Sequence, residues 1–309
     1  METILVPLDG TPFGEHALPM ALAIARRTGA SLALAHTHQL VVAAAAPAEA
    51  RTFDLAFDEL IREQEQNYLA EAAERVAAVW DGPVLPTLLE APLVGSLSDF
   101  AHERGVGLIV MSSHRRDELP WAWLGGVADR LIRKAAVPIL VVHPGDDEPD
   151  LTIEPTLRHI LVPLDGSALA EEALTLATTI GRPFGAHYTL LQAVAPILRS
   201  SLIDRLGPVV DTEAQAAAWR SASAYLEGCA ARLREQGYEV HTDAVIGPPA
   251  ATILDYARGY DADLIAISTH GRGGLARLLL GSVASEVLRG ATIPVLIKRP
   301  ALAHEQRAG

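Results

Sequence analysis

The seven residues Ile4 to Gly10 read ILVPLDG, and Ile160 to Gly166 read the same seven letters. The offset of 156 residues between them carries on down the chain. Leu108-Ile109-Val110 falls over Leu264-Ile265-Ala266, Ser113-His114 over Thr269-His270, Leu124-Gly125 over Leu280-Gly281, and Val137-Pro138-Ile139-Leu140 over Ile293-Pro294-Val295-Leu296. One offset that holds from the first apolar run to the last identifies a duplicated unit. The 309 residues suffice for two domains, each of the common size of about 100–150 residues and each able to bury its own core. Pro144 to Thr156, PGDDEPDLTIEPT, is acidic, bears prolines and lacks apolar periodicity, which is linker composition. The division that follows is domain 1 at 1–143, linker at 144–156, domain 2 at 157–300 and a tail at 301–309.

Each copy alternates short apolar runs with longer helical patterns. In the first, strands are expected at Thr3 to Leu8, Ser31 to Ala35, Val84 to Leu89, Leu108 to Met111 and Val137 to Val142. Helices are expected at Glu15 to Thr28, with Gly29 as C-cap, and at Asp54 to Trp80, Leu97 to Glu103 and Val127 to Lys134. The second copy repeats the order through strand Ile293 to Ile297. Strands apolar on both faces and separated by helices mean a parallel sheet covered on both sides. The fold class is therefore α/β, two repeated doubly wound domains, each a five-stranded parallel sheet of order 3-2-1-4-5.

Charge and cysteine usage remove several classes of function. With 38 acids against 25 bases the formal net charge is -13, which disfavours nucleic acid and anionic membrane, since phosphate contacts come from clustered Lys and Arg. The apolar runs fall short of the roughly 18 residues of a membrane span, and the start of the chain goes directly into a strand pattern rather than a signal segment. Cys229 has no second cysteine to pair with. A reducing compartment, the cytoplasm, is expected.

In an open parallel sheet a ligand sits beyond the carboxyl ends of the strands, where strand order reverses, here between strands one and four. After strand four of the second copy come Ser268-Thr269-His270-Gly271-Arg272-Gly273-Gly274, then Leu275 to Leu280, then Gly281-Ser282 opening the helix Val283 to Arg289. Glycines admit backbone amides to phosphate oxygens, Ser282 is expected to cap the helix, and the helix start carries partial positive charge. Arg272 and Arg277 add charge to the loop. A plain turn followed by an ordinary helix start would leave the same letters. Asp9 and Asp165 follow strand one of their copies, suited to Mg²⁺ or a ribose hydroxyl, or merely to an Asp-Gly turn.

ILVPLDGS, STHGRGGLARLLLGS and VLRGATIPVLIK together resemble the universal stress protein family, and the resemblance covers nearly the whole chain, twice. It implies an ATP-binding stress-response regulator or sensor. The family's ATP-binding members carry Gly-x2-Gly-x9-Gly-Ser/Thr after strand four, and Gly271, Gly281 and Ser282 match that spacing, while Ser268 stands where the first glycine belongs. The contacts implied are Pro163, Leu164, Asp165 and Gly166 after strand one, Ala193 at the end of strand two, Ile267, Ser268, His270, Gly271 and Arg272 after strand four, and Gly281, Ser282 and Val283 at the helix start. Asp165 would meet any Mg²⁺ that accompanies ATP. The resemblance also implies that the two domains pair with each other through their last strands; whether whole chains dimerise further is left open.

Domain 1 departs from the pattern. Ser112 replaces the first glycine, Arg115 stands where Gly271 does, and Gly126 replaces Ser282, so that of the motif Gly125 alone survives. An arginine forced to positive φ costs about 1–2 kcal/mol, and each 1.4 kcal/mol is about tenfold in affinity. Domain 1 is expected to bind ATP poorly or not at all, unless Arg115 itself serves as a phosphate ligand. The competing classes are an ATP-using enzyme of a related fold and a nucleotide-free interaction module. No nucleophile elbow, Walker loop or metalloprotease helix motif is found, so catalysis beyond slow ATP hydrolysis has no identified residues. His36 and His38 lack zinc spacing and read as structural or solvent-facing. His114 and His270 recur after strand four as loop-ordering residues. Trp121 and Trp123 read as packing residues, and Cys229 as a small buried hydrophobe.

Overall fold

The computed structural model describes residues 1–39, 55–113, 126–145, 147–199, 209–269 and 280–298. Its contacts divide the chain into two compact units, Met1–Pro155 and Thr156–Gly309.

The first unit runs β1 (Thr3–Pro7), α1 (Pro12–Glu15), α2 (Leu18–Thr28), β2 (Ser31–His38), α3 (Leu55–Ala77), β3 (Val84–Glu90), α4 (Leu93–Glu103), β4 (Val106–Ser112), α5 (Gly126–Lys134) and β5 (Ile139–Val142). Its sheet is parallel in the order β3-β2-β1-β4-β5. Ile4, Leu5 and Val6 on β1 and Leu108, Ile109 and Val110 on β4 have no exposed surface, as central strands with helices on both faces require. The helix expected at Glu15 to Thr28 is two pieces. Pro19 falls at the start of α2, where its missing N–H is harmless but from where no helix continues back unbroken to α1. Gly29 closes α2 at φ +70°, the left-handed conformation that a side chain resists. Residues after β5 are tied back onto this unit: His16 Nε2 contacts the Asp147 carbonyl at 2.8 Å, and Arg27 pairs with Glu154 at 2.6 Å.

The second unit runs β6 (His159–Pro163), α6 (Ala168–Gly181), a 3₁₀ turn (Arg182–Phe184), β7 (His187–Val194), β8 (Leu198–Arg199), β9 (Val209–Val210), α7 (Thr212–Arg234), β10 (Val240–Ile246), α8 (Pro249–Gly259), β11 (Leu264–Ser268), α9 (Ser282–Gly290) and β12 (Val295–Lys298). The parallel order is β10-β7-β6-β11-β12. The small antiparallel pair β8-β9 has no counterpart among the expected elements, because two-residue strands leave no periodicity to read.

The β3 edge of the first sheet and the β10 edge of the second are protected by different means. On β3 the bonds Leu32 N–H to Pro83 O and Ala91 N–H to His38 O, together with the register Leu32↔Val84, turn the backbone groups of Val84, Pro86 and Leu88 away from β2. Pro86 thus removes a donor from the open edge. On β10 the edge carbonyls are capped by α7: Arg234 donates to Val240 O at 2.8 Å, and the Trp219 indole N–H donates to Ala244 O at 2.6 Å.

Candidate functional site

In domain 2 the crevice lies beyond the ends of β6 and β11. Pro163 closes β6, and Leu164, 4% exposed, donates its N–H to Leu191 O at 2.8 Å. The chain then turns through Gly166 at φ +85°, a conformation that needs glycine. Asp165 Oδ1 accepts from Ser167 N–H at 2.9 Å and from Ser167 Oγ–H at 2.6 Å, and Ser167 Oγ in turn accepts Ala170 N–H at 3.1 Å as the N-cap of α6. One oxygen of Asp165 is therefore committed to shaping the turn.

β11 carries buried Ile267 and Ser268, and the Ser268 hydroxyl is buried without a hydrogen-bond partner. Gly281 N–H donates to Thr269 O at 2.8 Å, so the two ends of the intervening loop are stitched together. A Cβ on Gly281 would stand 2.8 Å from that same oxygen; glycine is needed here for close approach, not for positive φ. His270, Gly271 and Arg272 lie outside the described residues, as do His114, Arg115, Trp121, Trp123 and Gly125. The expected cap of α9 is corrected. Gly281 itself occupies the cap position, no side chain caps the helix, and Ser282 is its first helical residue. The amides of Ser282 and Val283, in the first turn, have no intrahelical acceptor. Ala193 is half-buried on β7 opposite Val245, beside buried Gln192, whose Oε1 is unpartnered.

The same positions in domain 1 are engaged differently. Asp9 Oδ1 accepts from Thr11 N–H at 3.0 Å and Thr11 Oγ–H at 2.7 Å, repeating the turn, but Thr11 does not cap α1. Ser112, the counterpart of Ser268, donates its hydroxyl to Phe13 O at 2.7 Å. The short helix α1, absent from domain 2, brings that carbonyl within reach.

The spacing of His36 and His38 concealed an ion cluster. His38 is fully buried, with Nδ1 at 2.7 Å from Glu65 Oε2 and Nε2 at 2.9 Å from Asp58 Oδ1. Two carboxylate acceptors require both ring nitrogens to donate, so the ring is an imidazolium. Burial pushes its pKa down, the bonds to Glu65 and Asp58 push it up by more, and the net value lies above the ordinary one. Arg62 donates to Asp58 Oδ2 at 3.0 Å and pairs with Glu90, whose carboxyl it holds below the usual range. Burial raises the pKa of Asp58, but Arg62 and His38 bring it below the usual range. Asp58, Arg62 and Glu65 lie on α3 at spacings of four and three, the one sequence signal that they share a face. Among the described residues no group of three or more His, Cys, Asp or Glu side chains is arranged to hold a metal, and no helix is long and apolar enough to cross a membrane.

A profile of the family described as "Universal stress protein family" matches residues 1–143 and 156–299. A universal stress protein of Mycobacterium tuberculosis is 28% identical over 194 residues, covering 62% of this chain and 61% of that protein; the chain thus spans about three fifths of the length of that relative. A universal stress protein of Methanocaldococcus jannaschii is 34% identical over 152 residues, 46% of this chain and 83% of its own. The crystal structure of a universal stress protein from Archaeoglobus fulgidus superposes with a TM-score of 0.70 at 17% identity, covering 97% of this chain and 98% of the other, which is a likeness of fold. With both halves matched in turn, the chain belongs to the universal stress protein family and carries its domain twice.

Proposed function

We propose that the protein is an ATP-binding stress-response regulator in which domain 2 holds the nucleotide and domain 1 does not. The observation that carries this reading is the unpartnered, buried hydroxyl of Ser268 at the end of β11, beside a helix start whose approach only glycine permits at Gly281. Buried polar groups are normally paired, so an orphaned hydroxyl in a ligand crevice fits a ligand atom. The free amides of Ser282 and Val283 suit phosphate oxygens. Pro163, Leu164, Asp165, Gly166 and Ala193 would line the nucleoside side, and Ile267, His270, Gly271 and Arg272 would complete the phosphate side. A divalent cation arriving with the phosphates would fall to Asp165, and would supply charge neutralisation there. The Ser112 hydroxyl, at the position of Ser268, is engaged by the Phe13 carbonyl, which supports a domain 1 that lacks the Ser268 contact to a nucleotide. Binding would act through conformation and partner choice in the cytoplasm.

The test is mass spectrometry of ligands released from freshly purified full-length protein, followed by calorimetric titration with ATP. An adenine nucleotide bound once per chain and lost in Gly281→Arg is the expected result. Absence of adenine-nucleotide binding, a stoichiometry of two, or retention by Gly281→Arg would overturn it.

A further inference from the structure

We propose that the crevice of domain 1 is a binding site of its own, for a small uncharged molecule with an apolar body and one hydrogen-bonding group. A cleft of about 230 Å³ opens there between the end of β1, α1, the end of β4 and the first turn of α5. Drug-sized ligands occupy pockets of about 300–1,000 Å³, so this one fits a molecule of one or two rings. Leu8, Phe13, Leu93, Met111 and Val127 supply an apolar lining.

The polar part of the lining selects further. Ser112 and Ser113 both border the cleft. The Ser112 hydroxyl is already satisfied by Phe13 O, whereas Ser113, 4% exposed, has an Oγ with no hydrogen-bond partner. It is the sole buried side-chain polar atom without a partner among the described lining residues. A ligand group that bonds Ser113 would satisfy a hydroxyl left unmet in the unliganded protein. The Asp9 carboxylate borders the cleft and disfavours an anion placed beside it. The site is thus distinct in chemistry from the nucleotide crevice proposed for domain 2, and does not depend on that reading.

The experiment uses full-length protein with 5-fluoroindole as probe, followed by ¹⁹F NMR, so that the protein's own tryptophans do not interfere. Saturable binding at one site per chain is expected, undisturbed by excess ATP and retained by Gly281→Arg. Val127→Trp, which fills the half-buried mouth of the cleft, should abolish it. Ser113→Ala should weaken it about tenfold while raising the thermal midpoint of the unliganded protein, because the unmet hydroxyl is gone. That opposite movement separates a ligand contact from general damage. If Val127→Trp does not fold, Ser113→Ala decides. The absence of saturable binding, indifference to both variants, or displacement by ATP would each overturn the proposal.

Discussion

His38→Leu removes a buried cation that donates to Glu65 at 2.7 Å and to Asp58 at 2.9 Å. Leucine fills the site without supplying a donor. Asp58 keeps its bond from Arg62 at 3.0 Å, while Glu65 is left with the longer contact to His36 at 3.4 Å. A hydrogen bond to a charged group contributes about 1.5–3 kcal/mol, and breaking a buried pair costs about 3–5 kcal/mol. With one of the two carboxylates still paired, the loss expected near pH 6 is about 3 kcal/mol. The dependence on pH has a definite sign. The folded pKa of His38 is raised, so its contribution is fully present below the unfolded value of about 6.5 and is lost as pH rises through the folded one. The difference between wild type and variant should be widest on the acid side of neutrality and narrow with alkalinity. Asp58 works the other way, since its depressed folded pKa contributes stability that is lost as pH falls through it, which limits the acid side. Urea unfolding of the full chain in steps from about pH 5 to about pH 9, read by hydrogen exchange of α3 amides, measures this directly. A difference that stays flat, or widens toward alkaline pH, would refute the imidazolium assignment and place the protons elsewhere in the cluster.

Other substitutions test the crevice and the sheet edge. Gly281→Ala puts a methyl 2.8 Å from Thr269 O; one of the two must shift, and under the proposed function ATP affinity by calorimetry should fall tenfold or more. Ser167→Ala removes the α6 cap, which accepts Ala170 N–H at 3.1 Å, and should cost about 1 kcal/mol in urea unfolding. Thr11→Ala, at the same place in domain 1 but without a capping bond, should cost less, and equal losses would contradict the difference in geometry. Trp219→Ala bares the Ala244 carbonyl on β10, and sedimentation velocity should show increased self-association, as an unpaired edge invites.

The repeat made the fold legible because a doubly wound domain writes itself in runs that are buried whole. Ile4 to Val6 and Leu264 to Ile267 are apolar at successive positions and lie on interior strands of their sheets. Boundaries were blurred where one residue changes the backbone, as at Pro19, or where an element is too short to show a period, as in β8-β9. The ion cluster was illegible for another reason. His38, Asp58, Glu65 and Glu90 come from β2, α3 and β3, and no local spacing brings three elements together. The crevices show the limit most sharply. Ser112 and Ser268 are the same residue at the same place in the repeat, yet one hydroxyl is bonded to the Phe13 carbonyl and the other to nothing. The difference is made about a hundred residues earlier in domain 1, where Pro12 to Glu15 form a turn of helix that domain 2 replaces with a directly capped α6. A motif names which atoms are available for a ligand; whether they remain available depends on backbone from another strand's loop. Two positions of the repeat can therefore share a letter, as Ser112 and Ser268 do, and still present different chemistry to what enters the crevice.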